Sequence, residues 1–282
     1  MNTFLHQPRL AADDLFSALR VLFPQTQPMR STTTAGVEVV SVLVASDRVR
    51  DVWDEWRGKH GETGWWPYVS LISPEGLTSG GCLHEDVDAA VLENMVAEVV
   101  RQDHDARAAS IVVSSFLWSA DHAYLEEGEL EEWLDDYDPD RLAPRLSPAI
   151  AEPLPGVSRW VAEDPNSWYW RDQRWLHFVP ARGGYEVPVM LPGLIGTGNG
   201  THYLPPVDDA ALLRRWHEQW GAELYFASGS YLELVVDRPP LDPRSAAQAA
   251  TELTGYCEDT VEDPRAAGDG MVRSTMWTLW WD

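Results

Sequence analysis

Cysteine is nearly missing from this chain. Only Cys82 and Cys257 are present, far apart and without close Cys or His neighbours. That excludes a disulfide framework and a zinc ribbon and leaves two free thiols, the state expected of a reducing compartment. Basic side chains are scarce as well: 21 Lys and Arg stand against 45 Asp and Glu, a net charge of −24 at pH 7. The summed field repels nucleic acid and anionic lipid surfaces, so any partner is expected to be basic or apolar. Long hydrophobic runs are also absent. The longest, Val37 to Ala45, is interrupted by Glu38 and Ser41 and is far too short to span a bilayer. The opening residues, Met1 to Arg9, lack the basic start and apolar stretch of a secretion signal, and a cytoplasmic location is expected.

Tryptophan is what the chain has in excess. Fifteen Trp within a hydrophobic fraction of 44% can supply a real core, and a charged fraction of 23% is ordinary for a globular protein. A length of 282 residues exceeds the size at which most single cores stop growing, so two domains are expected. The boundary falls where Pro139, Pro144, Pro148, Pro153 and Pro155 break any long helix or central strand. This gives an amino-terminal α/β lobe over 1–138, a Pro-rich linker over 139–158 and a carboxyl-terminal α+β domain over 159–282.

In the first part, Asp13 to Phe23 reads as a helix and the β-branched run Val37 to Val44 as a buried strand. Ser46 or Asp47 caps a helix whose Val49, Val52, Trp53 and Trp56 share one face, before Gly58 and Gly61 stop it. Strand Trp65 to Ile72, a helix from near Asp86 carrying Val91, Leu92, Met95, Val96 and Val99, and strand Ser110 to Trp118 follow. Beyond the linker, Trp168 to Val179 and Tyr185 to Leu191 read as strands joined at Gly183-Gly184, before a Gly-rich loop, Gly196 to Gly200. Asp208 or Asp209 caps a helix with Leu212, Leu213, Trp216 and Trp220 inside. Ala222 to Phe226 and Tyr231 to Val236 form a hairpin around Ser228-Gly229-Ser230. Asp242-Pro243 starts a helix whose Ala246, Ala250, Leu253 and Cys257 lie on one stripe, the small residues suiting close packing on a sheet. Strands interleaved with helices and hairpins predict an α+β fold with mixed and antiparallel sheets, in two lobes. Trp56 with Gly61 and Trp216 with Gly221 each precede a strand at the same spacing, an echo that chance and the common use of Gly past helix ends account for.

Four blocks stand out in the last third: Leu213 to Leu224, containing Trp216-His217-Glu218 and Gly221-Ala222-Glu223; Tyr231 to Pro240, containing Leu232-Glu233-Leu234 and Arg238-Pro239-Pro240; Tyr256-Cys257; and Trp280-Trp281-Asp282. In order and spacing they resemble the bacterial family known as domain of unknown function 4253 (DUF4253), most strongly over the last ~110 residues. The resemblance implies no assigned chemistry. It does place a Gly-rich segment with an Asn where Asn199 stands. The chain departs from the family where Cys257-Glu258-Asp259 replaces the usual Cys-Pro-Asp.

Several groups of residues suit chemistry. The loop Gly196 to His202 would let a ligand approach the backbone, yet it has neither the dinucleotide spacing nor a following Lys for phosphate, and a plain loop is the preferred reading. His84, His104 and His122 each adjoin acids, a ligand set for Zn²⁺ or Mn²⁺, but no His-x-x-x-His fixes two ligands on one face, and no metal is expected. His217 with Glu218, followed by Glu223, Glu233 and Asp237, offers a histidine-carboxylate pair for acid-base work; the plain reading is a half-buried histidine bonded to the sheet. Cys257 on its apolar stripe is expected to be buried and inert. The acidic stretch Glu126 to Asp140 spaces Leu130, Trp133, Leu134 and Tyr137 by three and four, an amphipathic acidic helix that steers a basic partner and anchors it through aromatics, or else a solvated face packed by that stripe.

Two functional expectations follow. In the first the chain is a non-enzymatic intracellular binding protein, an inhibitor or regulator of immunity or antitoxin type, that covers a basic or apolar surface of a partner through Glu127, Glu131, Trp133, Asp135, Asp136 and Tyr137. In the second it is a small-molecule-binding or hydrolase-like enzyme with Asn199, His202 and His217 around one pocket. No cofactor is indicated in either.

Overall fold

The computed structural model describes residues 6–78, 87–122, 137–159, 171–195, 204–257, 260–261 and 263–281. The amino-terminal elements are helix α1 (Ala12–Leu22), strands β1 (Met29–Thr32) and β2 (Glu38–Ala45), helices α2 (Val49–Gly58) and α3 (His60–Thr63), strand β3 (Trp65–Ser70), and helices α4 (Pro74–Thr78), α5 (Ala89–Arg101) and α6 (His104–His122). Next come α7 (Pro139–Leu142) with a 3-10 turn over Ala143–Arg145, β4 (Gln173–Pro180), a second 3-10 turn over Gly184–Glu186 leading into α8 (Val187–Met190), and α9 (Pro206–Trp220). The chain continues through β5 (Ala222–Ser228), β6 (Tyr231–Val236), α10 (Pro243–Tyr256) and α11 (Pro264–Asp269), then a third 3-10 turn and β7 (Met276–Trp280).

All seven strands share one sheet in the order β1-β2-β4-β3-β5-β6-β7, so the fold is α+β around a mixed sheet. Every pairing is antiparallel except β3 with β5, which run parallel and meet at Val69 and Phe226. Strand β4 follows the Pro-rich segment in the chain yet lies between β2 and β3, which precede it. The Pro-rich segment is itself held down. Buried Arg273 donates from Nη1 to the Pro148 carbonyl at 2.8 Å and from Nη2 to the Ser147 carbonyl at 2.7 Å, and Leu154 bridges to Ser274.

Two clusters of aromatic rings sit within a core otherwise made mostly of Val, Leu and Ala. Trp216, Trp220, Trp277, Tyr256 and Trp281 meet edge to face at 5.3–6.0 Å between ring centroids, an arrangement suited to aromatic quadrupoles. Two indoles of this cluster find acceptors: Trp277 Nε1 donates to the Val272 carbonyl, and Trp216 Nε1 to Glu252 Oε2 at 3.0 Å. A second cluster joins Trp53 of α2 to Trp66 and Tyr225 across the parallel β3–β5 junction.

Some elements differ from expectation, each for an identifiable reason. Residues 110–118 belong to helix α6, because Ala108, Ile111 and Val112 bury one side at helical spacing even though the Ile-Val-Val triplet favours strand. The segment 185–191 is a 3-10 turn and helix α8, buried on every side. Such a run has no period to read, and Pro188 fits a first helical turn where it would break a central ladder. The cap of α2 is Arg48, with no side-chain bond; Ser46 instead donates to the Arg171 carbonyl. Asp208 and Asp209 do not cap α9, which begins at Pro206. They lie buried in its first turn, bonded to Arg107 and Tyr256. Val91 points outward from α5. The small residues of α10 admit another helix: a Cβ on Gly255 would stand 3.1 Å from Val112 of α6.

Candidate functional site

Where α9 gives way to β5, Gly221 adopts φ 65°, and its N–H returns to the His217 carbonyl at 2.9 Å. Only glycine takes this left-handed step without strain, and it turns the chain directly from helix into strand. Arg238, at the end of β6, donates from Nη2 to the Glu218 carbonyl at 2.9 Å and so satisfies the exposed end of the helix. These two local devices bring together residues from α9, β5 and β6. His217 Nδ1 lies 3.8 Å from Glu223 Oε1, and Glu223 Oε2 lies 2.6 Å from Arg57 Nη1. Arg57 also reaches both oxygens of Asp237 at 3.3 Å. The Tyr185 ring flanks His217 at 6.0 Å, and the Arg214 guanidinium lies over the Tyr185 ring at 5.7 Å.

The electrostatics of this cluster are unusual for a surface ion pair. Burial pushes the Glu223 carboxyl up to about 7 against the pull of Arg57, with Asp237 and Asp54 adding to the rise. Burial and the Arg238 guanidinium hold the His217 imidazole below its ordinary value. Near neutral pH, therefore, Glu223 is poised between its two forms beside a histidine whose charged form is disfavoured, the two side chains standing 3.8 Å apart without a direct hydrogen bond. His217 keeps 41% of its side chain exposed, so the cluster communicates with solvent.

The other carboxylates singled out in the sequence go elsewhere. Glu218 pairs with His104 of α6 at 2.9 Å and with Arg214 at 3.0 Å. Glu233 is fully buried within the sheet, accepting from the Ser158 hydroxyl and the Arg159 amide. Cys257 is buried, its sulfur 3.2 Å from the Thr260 hydroxyl and 3.0 Å from the Trp280 carbonyl, to which Thr260 also donates. Asn199 and His202 lie outside the described residues, as do Cys82, His84 and the side chain of His122. The residues flanking that loop are described. Ile195 bridges to Gly229 and Leu204 precedes α9, which places both at the far end of β5 and α9 from His217. Among the described residues no three His, Cys, Asp or Glu side chains gather as metal ligands. Arg57 and Tyr185 were not visible as partners of His217: they come from distant segments, and only the β3–β5 junction shows why Arg57 arrives here.

Of the acidic stretch, Glu127, Glu131, Trp133, Asp135 and Asp136 lie outside the described residues, and Tyr137 lies within them. Tyr137 stands at the mouth of a cavity of about 480 Å³ between α6, α7, α9 and α10, its ring 4.8 Å from that of Phe116. Val112 and Val113 extend the apolar wall, and Asp105 and Asp140 mark the rim. Deeper in, Arg215 grips both oxygens of Glu252 and bonds Asp105. At the rim Arg244 reaches Asp140 at 3.2 Å, with both side chains exposed.

No helix among the described residues is long and apolar enough to cross a membrane. No curated protein and no solved structure matches the chain. The blocks from the Trp216 helix to the terminal strand do have a match: residues 176–282, from within β4 onward, are similar to the family described as Domain of unknown function (DUF4253).

Proposed function

We propose that the chain is a non-enzymatic binding protein of the bacterial cytoplasm, an inhibitor or regulator of immunity or antitoxin type, which covers a basic surface on a partner protein. The observation that carries this reading is the excess of 45 acidic over 21 basic side chains. Many of the arginines are already engaged with the protein's own carboxylates, as in Arg57–Glu223, Arg107–Asp208, Arg182–Glu186 and Arg215–Glu252. The remaining negative charge faces outward and speeds encounter with a cationic surface. The acidic stretch meets the described structure at Tyr137, beside Asp105, Asp138 and Asp140, where aromatic and carboxylate groups adjoin as they do at interface anchors.

The test is capture from the native host by three tagged forms: the wild type, a form with Glu127, Glu131, Asp135 and Asp136 changed to Lys, and a control with the same number of reversals at Asp13, Asp14, Asp51 and Asp54. A basic protein retained in stoichiometric amount by the wild type and the control, released by moderate salt and lost from the reversed form, supports the reading. Equal retention by all three forms, or loss of the fold in the reversed form, overturns the assignment of this surface.

The convergence of His217 with a carboxylate poised near neutrality favours a second reading, a small-molecule or hydrolase-like site in which Glu223 and His217 exchange a proton with the bound molecule. Turnover of activated esters that vanishes in Glu223→Gln and in His217→Ala, with both variants folded, would select it over the first.

A further inference from the structure

The last strand of the sheet carries a main-chain pair that the rest of the described structure does not meet. β7 ends the strand order, and alternate residues of it bond β6: Val236 N–H reaches the Thr275 carbonyl at 3.0 Å and Trp281 N–H the Ser230 carbonyl at 2.9 Å. In an antiparallel ladder the residues between them, Met276, Thr278 and Trp280, turn N–H and C=O to the open side. The chain's own hydroxyls meet two of these three. Ser274 Oγ accepts from the Met276 N–H at 3.3 Å and lies 2.6 Å from the Met276 carbonyl. Thr260 Oγ1 accepts from the Trp280 N–H at 2.6 Å and donates to the Trp280 carbonyl at 2.8 Å. Thr278 has no such partner among the described residues, its own hydroxyl turning to Glu233 within the sheet at 3.4 Å.

The path of the Pro-rich segment explains the gap. Leu154 joins the edge as a parallel partner of Ser274, donating to the Arg273 carbonyl and accepting from the Thr275 N–H. Gly156 then lies hard against the strand: its N–H meets Thr275 Oγ1 at 3.0 Å, and a Cβ there would stand 2.3 Å from the Met276 nitrogen. Beyond it the segment leaves the edge, because the Ser158 hydroxyl and the Arg159 amide bond the Glu233 carboxylate on the face of the sheet. The added strand stops short of Thr278. A groove of about 770 Å³ opens there, lined by Thr278, by Val157 on one side and by Val261 and Met271 on the other. Thr278 is 6% exposed and Val157 77% exposed, so the groove is open to solvent along an apolar wall.

A donor and an acceptor on one strand residue are matched together by an extended peptide, which presents both at strand spacing. Charge narrows the choice. Asp263 lines the groove, and the bordering stretch Glu258 to Asp263 holds four acids in six positions, against one basic lining residue, Arg159. We propose that the groove takes an extended segment of a partner protein in which apolar and basic residues alternate. Its main chain bridges Thr278, and its apolar side chains lie on Val157 and Met271. This contact goes beyond the acidic stretch and needs neither that stretch nor the His217 cluster.

The full chain, isotope-labelled for amide detection, is titrated with acetyl-Lys-Val-Lys-Val-Lys-amide, with its Glu-for-Lys counterpart, and with the basic peptide methylated on its three central nitrogens. In the free chain the Thr278 amide should exchange with solvent faster than those of Trp277 and Leu279, which bond β6. The basic peptide should bind saturably, slow Thr278 exchange and move its amide proton downfield. The acidic and the methylated peptides should each bind about tenfold more weakly. Val157→Lys, at an exposed position, should weaken the basic peptide about tenfold without moving Tm. Absence of saturation, saturation that leaves the Thr278 amide unchanged, equal affinity for the acidic or the methylated peptide, or unchanged affinity in Val157→Lys would each overturn the proposal. Protection of Thr278 that grows with protein concentration in the absence of peptide would overturn it in favour of a second copy of the chain. All these readouts are independent of salt-sensitive capture by the acidic stretch.

Discussion

Two buried titratable residues fix how stability should respond to pH, with opposite signs. Glu223 keeps its proton in the fold to about pH 7, whereas an unfolded glutamate loses it near 4.5. The unfolded chain therefore binds fewer protons between these values, and stability falls as pH rises through that window. Glu223→Gln should shrink the drop in unfolding free energy between pH 5 and pH 8 by up to ~3 kcal/mol, read from urea titrations at the two values. His177 works the other way. It is fully buried between Tyr68 and Trp175, accepts from Ser41 Oγ on Nδ1 at 2.8 Å and donates from Nε2 to the Ile72 carbonyl at 3.0 Å, and burial holds its imidazole down to about 3. The unfolded imidazole takes up a proton at 6.5, so stability present above that value is lost progressively towards pH 3, ~5 kcal/mol over the whole window. His177→Gln should flatten that acid limb while lowering stability at pH 7. A slope unchanged in the variant would show that other groups drive acid unfolding.

At the scale of elements, the join between α9 and β5 is the most sensitive point. A Cβ on Gly221 would meet the Asp237 Cβ at 3.1 Å in addition to the left-handed strain, so Gly221→Ala should lower stability by ~1–2 kcal/mol and displace His217 from Glu223. Trp216→Ala and Trp281→Ala each open a hole in the aromatic cluster and should cost ~3–5 kcal/mol in chemical denaturation. These elements were legible in the sequence because period and punctuation agree: a stripe of Leu and Trp, a Gly at the stop, a tight hairpin turn around Gly229-Ser230, and an Asp-Pro start for α10. The segments 110–118 and 185–191 were not: the Ile111-Val112-Val113 triplet favours strand by propensity, and the buried run through Leu191 carries no phase to separate helix from strand. The same limit applies to the site. The nearness of His217, Glu223 and Asp237 follows from local connections, whereas Arg57 and the buried state of Asp208 and Asp209 depend on which distant elements pack together, and no local pattern encodes that.

At the scale of the whole molecule, one buried guanidinium is among several ties that hold the Pro-rich segment to the body. Arg273→Ala should remove both carbonyl contacts, leave Ser147 and Pro148 to solvent, and make the stretch 143–157 the first site of limited proteolysis, with a loss of ~2–4 kcal/mol. Protection equal to that of the wild type would show that the remaining ties, among them the Leu154–Ser274 bridge and the Ile150–Leu241 bond, suffice. The position of β4 has a consequence for how the molecule is made. Its two neighbours leave the ribosome about a hundred residues before it does, so β2 and β3 wait with unpaired edges, a high contact order that slows folding and invites misassociation. Cutting the chain in the Pro-rich stretch would give two pieces that each lack a neighbour for a central strand, and they should regain the native fold only when mixed, as a fragment-complementing pair.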